Sequence, residues 1–224
     1  MIIGQVATGT PAPVVSYSRV INLAALRQTP LVRDPYDHII VDGFVPSDAL
    51  HAVNGDFPNV PTTGSFPLSE LTYGPAFGAL VDEMLGPEFQ AAMADRFQLT
   101  LDDYFRIVTV RGRVGPHDGG VHTDATWKII SVLLYLNESW ENAGGRLRLL
   151  RDEDVNHTAV EIVPKWGTLL AFRRADNSWH GHLPAEGERR VIQLNWVTSQ
   201  EMADRELRRH KRSAFFKRLL RRPA

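Results

Sequence analysis

From residue 104 to 198 the sequence breaks into six short apolar runs, at 105–110, 128–137, 146–150, 159–163, 168–172 and 190–197, with Gly, Asn and Asp between them. Runs of this length, punctuated by turn residues at this spacing, predict short strands folded into a sandwich or barrel. The run 129–136 is apolar at almost every position, so it reads as a strand buried between two layers rather than one with a wet face.

The flanks read differently. Ile39, Ile40 and Val41 are β-branched and predict a strand within 35–45. Ser47 or Asp48 is placed to cap a helix that begins at Ala49. Gly55, Pro58, Pro61, Gly64 and Pro67 make 54–68 a loop. Phe77, Leu80, Val81, Met84 and Leu85 recur at helical intervals, Pro87 interrupts them, and Phe89, Met93 and Phe97 continue in a second helix. After Thr198 the pattern is helical again.

The 224 residues suit one domain, residues 1–204, with its β core at about 104–198 and a basic tail at 205–224. The net charge of −1 hides a division: the tail holds nine Lys/Arg and one acid, so the body is acidic. With no cysteine, disulfides, Cys-ligated zinc, iron–sulfur clusters and thiol chemistry are excluded. No apolar run reaches the length of about 18 that a membrane helix needs. The first fifteen residues lack the basic and apolar regions of a signal peptide, so a cytoplasmic location is expected. Within the tail, Phe215, Phe216, Leu219 and Leu220 form a stripe on a basic helix. Such a helix could lie on an anionic membrane surface or dock on the acidic body. No nucleic-acid partner is expected, because no aromatic-and-basic platform occurs elsewhere. The oligomeric state is not readable.

Eight histidines are present, and most, including His38, His51, His157 and His210, stand alone and need no function. His122-Thr-Asp124 is different. On a strand, positions i and i+2 face one side about 6.6 Å apart, so an imidazole and a carboxylate can share one ion at about 2.1 Å each. A further imidazole from His180 or His182 would complete two His and one carboxylate, a set that leaves coordination positions open and favours non-haem Fe(II) oxygenases. Spacing alone leaves two readings open: a metal site, or polar residues at a strand start.

The wider context resembles the prolyl-4-hydroxylase-like branch of the Fe(II)/2-oxoglutarate-dependent dioxygenases. The matching pieces are His122-x-Asp124, Tyr135-Leu136-Asn137, Gly144-Gly145-x-Leu147, Val163-Pro164-Lys165-x-Gly167-x-Leu169-x-x-Phe172 and His180-x-x-x-Pro184-x-x-Gly187-x-Arg189. Pro35-Tyr36-x-His38-Ile39-x-Val41-Asp42-x-Phe44 is similar to the first strand of many such enzymes. The first 34 residues and the last 25 carry no resemblance.

The resemblance implies a mainly β fold with flanking helices, a double-stranded β-helix or jelly roll of the cupin-like barrel type. It implies Fe(II), 2-oxoglutarate and O2, with ascorbate a further candidate cofactor, and hydroxylation with release of succinate and CO2. It carries the metal ligands to His122, Asp124 and His180. His180 is preferred because family members place a proline four residues and an arginine nine residues beyond the distal ligand. Pro184 and Arg189 stand there, whereas His182 would put Glu186 and Val191 in those places. His182 is then a pocket-wall or supporting residue.

The resemblance makes Arg189 the anchor for the far carboxylate of 2-oxoglutarate, with Tyr135 assisting. A planar guanidinium suits that carboxylate. Arg189 shares strand parity with Val191, Gln193 and Asn195, opposite Arg190, Ile192, Leu194 and Trp196. Arg190 is the alternative if the register is off by one. Arg111, Arg113 and His117 are read as lying in a mobile loop at the mouth of the site, where the arginines either bind an anionic substrate or are simply solvated. Trp127 and Trp179 either line the pocket or pack in the core. Two rival classes remain: another metal-dependent jelly-roll enzyme, such as a Zn(II) hydrolase, and a non-catalytic jelly-roll binding module tethered to a membrane by its tail. The substrate is not identified by sequence.

Overall fold

The structure, a computed structural model, describes the backbone of residues 19–219 and the side chains of 19–211. Among the described residues, nine strands form two antiparallel sheets. They are β1 (His38–Val41), β2 (Phe66–Pro67), β3 (Phe105–Val114), β4 (Lys128–Tyr135), β5 (Leu147–Leu150), β6 (Thr158–Ile162), β7 (Leu169–Arg173), β8 (His180–Gly181) and β9 (Gly187–Val197). The larger sheet runs β1-β7-β4-β9-β3-β2 and the smaller β6-β5-β8. This is the jelly-roll arrangement the sequence predicts, and each of the six apolar runs contributes to one strand.

Period-two alternation decides which side chains reach the interior. On β9, Ile192, Leu194 and Trp196 join Val132 and Leu134 of β4 and Val108 and Val110 of β3 in a core against the helices. The opposite parity of the same strands carries Val191 and Tyr135, which pack with Leu147 and Leu149 of the smaller sheet. The larger sheet is thus buried on both faces, which explains the unbroken apolar run of β4.

The helices are α1 (Leu23–Gln28), α2 (Leu50–Gly55), α3 (Pro75–Leu85), α4 (Pro87–Phe97) and α5 (Gln200–Leu219). Pro87 is the first residue of α4, where a missing N–H is harmless. Phe77, Leu80, Val81 and Met84 of α3 and Phe89 and Met93 of α4 face the sheet, and Phe89 stacks on Trp196 with ring centroids 6.1 Å apart.

Two sequence expectations are corrected in detail. The segment 54–68 is mostly loop, but Phe66–Pro67 pairs with β3 at the sheet edge, where proline is tolerated. β3 extends to Val114, so Arg111 and Arg113 lie on a strand and not in a loop; a bulge between them falls at Gly112. α5 begins at Gln200, as the helical pattern after Thr198 predicts.

α5 docks on the body. Ala203 and Leu207, four residues apart on one face, pack with Ile107, Val197 and Trp127, and Lys211 pairs with Glu70 at 3.0 Å. The stripe of Phe215, Phe216, Leu219 and Leu220 lies outside the residues whose side chains are described. No described helix is long and apolar enough to cross a membrane. Leu207 is only half-buried, so Leu207→Ala should cost about 1–2 kcal/mol and lower the melting temperature by roughly 2–8 °C. An unchanged melting curve would show that this face does not hold the helix.

Candidate active site

His122, Asp124 and His180 converge at one end of the barrel, each offering a ligand atom, all within 4.8 Å of one another. The convergence is built by the backbone. His122 and His180 form an antiparallel bridge whose two N–H groups each donate to the other's carbonyl at 3.0 Å. The bridge brings the rings to 4.4 Å between centroids, and β8, which begins at His180, is fixed in turn by β5.

The donor set fits an Fe(II) ion. His122 Nδ1 lies 2.8 Å from the Gly120 carbonyl and His180 Nδ1 2.9 Å from the Ser178 carbonyl. A carbonyl only accepts, so each Nδ1 carries the proton and each Nε2 keeps its lone pair for a metal. Asp124 accepts from Lys128 Nζ at 2.6 Å and from the Ser131 hydroxyl at 2.5 Å, each oxygen taking one bond. A carboxylate has about four acceptor positions, so capacity remains. Ser131 Oγ also lies 2.8 Å from the Asn195 amide, so the carboxylate is backed by a buried polar chain. Burial pushes the Asp124 carboxyl up, but Lys128, His180 and the hydrogen bonds outweigh it and hold the group below the usual carboxylate range. Burial drives His180 the other way, down to about 4.

The trio opens into a cavity of about 850 Å³. Thr109, Arg111, Arg189, Gln193, Asn195 and His182 line its inner part. The parity argument for β9 holds: Arg189, Gln193 and Asn195 face the cavity, whereas Arg190 reaches outward to the Asn54 carbonyl and over the Phe57 ring. Arg189 is 4% exposed, and its Nε donates to the Gly145 carbonyl at 3.0 Å. Gly144 and Gly145 make that contact feasible. A Cβ on Gly144 would stand 1.9 Å from the Pro184 carbonyl oxygen, and Gly145 has φ +71°.

Tyr135 is fully buried behind Arg189, its hydroxyl 3.5 Å from the guanidinium, and does not itself line the cavity. Burial raises its hydroxyl pKa. His182 lines the cavity but stands outside the trio, with its backbone N–H on Gly119 and its Nδ1 2.8 Å from the Leu183 carbonyl. A Cβ on Gly119, which has φ +88°, would fall 2.2 Å from the His182 ring. Trp127 lines the cavity; Trp179 does not. Arg113 and His117 are exposed and away from it.

The sequence places Arg111 in a loop and gives no sign of the roles of Lys128 and Ser131, whereas the structure puts all three at the site. Arg111 pairs in register with Val191, beside Arg189 on the neighbouring strand, and its Nε donates to Ser65 at 2.8 Å. Burial and the adjacent Arg189 both lower its pKa. Its signal was the alternation Ile107, Thr109, Arg111, hidden because the apolar run was ended at Val110.

Two imidazoles and a carboxylate thus stand together at one open end of the jelly roll, with a buried arginine on the wall. Residues 104–198 match the family model of the 2OG-Fe(II) oxygenase superfamily. No curated protein matches the sequence. Among solved structures, it is similar in fold to a prolyl 4-hydroxylase of Phytophthora capsici at TM-score 0.54 and 18% identity, covering 85% of this chain and 71% of that one. It is similar to a Pseudomonas putida prolyl-4-hydroxylase at TM-score 0.51 and 18% identity, over 79% and 97%. Iron-bound HygX of Streptomyces hygroscopicus matches at TM-score 0.51 and 10% identity, over 73% and 82%. At these identities the likeness concerns fold.

The His180 shift has a testable consequence in the metal-free protein. Unfolded, the imidazole takes a proton near pH 6.5; folded, it resists protonation until about 4. The unfolded chain therefore binds more protons in that window, and stability falls as pH drops from 6.5 to 4, by up to about 1.4 kcal/mol per pH unit from this group. Urea denaturation at pH 7, 6 and 5 should show the fall, and His180→Gln should flatten it. An unchanged slope in that variant would place the titration elsewhere.

Proposed function

We propose that the protein is an oxygenase that hydroxylates a C–H bond of its substrate, using Fe(II) held by His122, Asp124 and His180 and 2-oxoglutarate anchored by Arg189. The observation that carries this reading is the meeting, in one cavity, of the trio with its Nε2 atoms free and a buried arginine with no carboxylate partner among the described residues. Bound Fe(II) and 2-oxoglutarate supply oxidation by O2, with succinate and CO2 as the expected co-products.

The chain's own groups do the positioning. The Gly120 and Ser178 carbonyls orient the imidazoles, and Ser131 and Lys128 hold Asp124 ionised and in place. The Gly145 carbonyl fixes Arg189 through Nε and the Tyr135 hydroxyl takes one Nη2 hydrogen, so the remaining Nη hydrogens can receive a carboxylate. Arg111 stands beside Arg189 and adds a second positive charge, and Tyr135 supports Arg189 from behind. Leu133, Leu147 and Phe172 form the apolar part of the wall and exclude water from the reacting centre. A Zn(II) hydrolase on the same scaffold would leave the Arg189–Arg111 pair without a use.

Anaerobic titration with Fe(II) and then 2-oxoglutarate tests the reading. His122→Ala and His180→Ala should abolish metal binding with the fold intact, while His182→Ala should retain it. Retention by His180→Ala with loss by His182→Ala would move the distal ligand. Losing the arginine pair to the carboxylate should cost on the order of 2–4 kcal/mol, so Arg189→Leu should weaken 2-oxoglutarate binding roughly 30- to 1000-fold. Tyr135→Phe should have a smaller effect. Normal binding by Arg189→Leu would remove the anchor from this residue.

A further inference from the structure

Helix α5 lies beyond the stretch matched by the family model, yet it forms part of the cavity wall. Ala203 and Leu207 hold it to the body. On an adjoining face Met202, Arg205 and Arg208 follow one another at intervals of three and line the mouth of the cavity that contains the trio. Both arginines are exposed, and among the described residues neither makes an ion pair or a hydrogen bond. Their neighbours differ: Arg209 and His210, which also reach the cavity, are both held by Glu206. Deeper in, Lys128 is held by Asp124.

The lining cations therefore sort into two groups. The paired ones, Arg209 and Lys128, each stand against a protein carboxylate. Arg111 and Arg189 inside, and Arg205 and Arg208 at the mouth, have no carboxylate at ion-pair distance among the described residues. One co-substrate carboxylate accounts for the inner pair. Nothing in the proposed chemistry accounts for the outer pair.

We infer that the substrate is a small anion whose carboxylate or phosphate group is held by Arg205 and Arg208, with its reacting C–H bond turned inward to the trio. The inference rests on the Fe(II)/2-oxoglutarate reading of the same site. Two guanidinium forks suit a planar or tetrahedral oxyanion, which each can grip with two parallel hydrogen bonds. The cavity of about 850 Å³ is of small-molecule size. A positive mouth around a recessed site also draws anions in from solution, faster at low salt.

The experiment uses the full-length chain loaded anaerobically with Fe(II) and 2-oxoglutarate. It is titrated calorimetrically with phenyl phosphate, phenylacetate and the neutral benzyl alcohol. At least one of the anions should bind and the alcohol should not, and the tighter anion tells phosphate from carboxylate. The double variant Arg205→Gln/Arg208→Gln, altered only at exposed positions, should weaken anion binding roughly tenfold or more while leaving 2-oxoglutarate affinity unchanged. Lys165→Gln, which removes one charge away from the cavity, should leave anion binding as it was. The inference is overturned if no anion binds, if the alcohol binds as well as the anions, or if the double variant binds them normally while Arg111→Gln does not. A wild-type chain that fails to take up Fe(II) and 2-oxoglutarate at the start overturns the reading of the site beneath it, and this inference with it.

Discussion

The reciprocal backbone hydrogen bonds between His122 and His180 are the constraint on which the site depends. They join two distant segments of the chain by a single antiparallel bridge. One bridge sets three things at once. It brings the two imidazoles together, it puts Asp124, two residues on from His122, on the same side, and it ties this end of the barrel to β5 through β8. The close fit also demands small residues. Gly181 stands where a Cβ would come within 2.8 Å of the Gly119 carbonyl, and Gly119 stands against the His182 ring. A buried Asp124 would be unfavourable as an isolated charge, and Lys128 and Ser131 offset that burial before any metal arrives.

The second organising feature is charge placed by strand parity. β9 lies between β4 and β3, so its inward residues meet inward residues from both. Tyr135 and Arg111 both pair in register with Val191, with Arg189 two residues away, and this produces a row of tyrosine and two arginines across three strands. Two neighbouring cations in a buried place raise each other's cost, which is the direction of the Arg111 shift. The outward residues of the same strands, including Ile192, Leu194 and Trp196, are apolar and secure the helices. One alternating pattern thus supplies both the core that holds the sheet and the polar wall that faces the cavity.

Much of this was legible in sequence, and the reasons are physical. Short apolar runs between turn residues report strands directly. His122-x-Asp124 and the parity of Arg189 with Gln193 and Asn195 follow from a period of two. Other features were hidden. Arg111 sits just before a bulge at Gly112, where the apolar run ends but the strand does not. The pairing of Lys128 with Asp124 depends on the turn between them, and the contact of Ser131 with Asn195 depends on register between β4 and β9. The tail's charge was visible, but its role as a wall of the cavity was not, because that depends on where Ala203 and Leu207 dock. The contact of the Tyr135 hydroxyl with Arg189 likewise depends on the register between β4 and β9.

The most direct test of the account is the location of iron in a crystal grown anaerobically with Fe(II) and 2-oxoglutarate, by anomalous diffraction at the iron absorption edge. The account predicts one strong peak bonded to Nε2 of His122, Nε2 of His180 and a carboxylate oxygen of Asp124, with the far carboxylate of 2-oxoglutarate on Arg189. A peak bonded to His182, or an iron site that lacks Asp124, would contradict it.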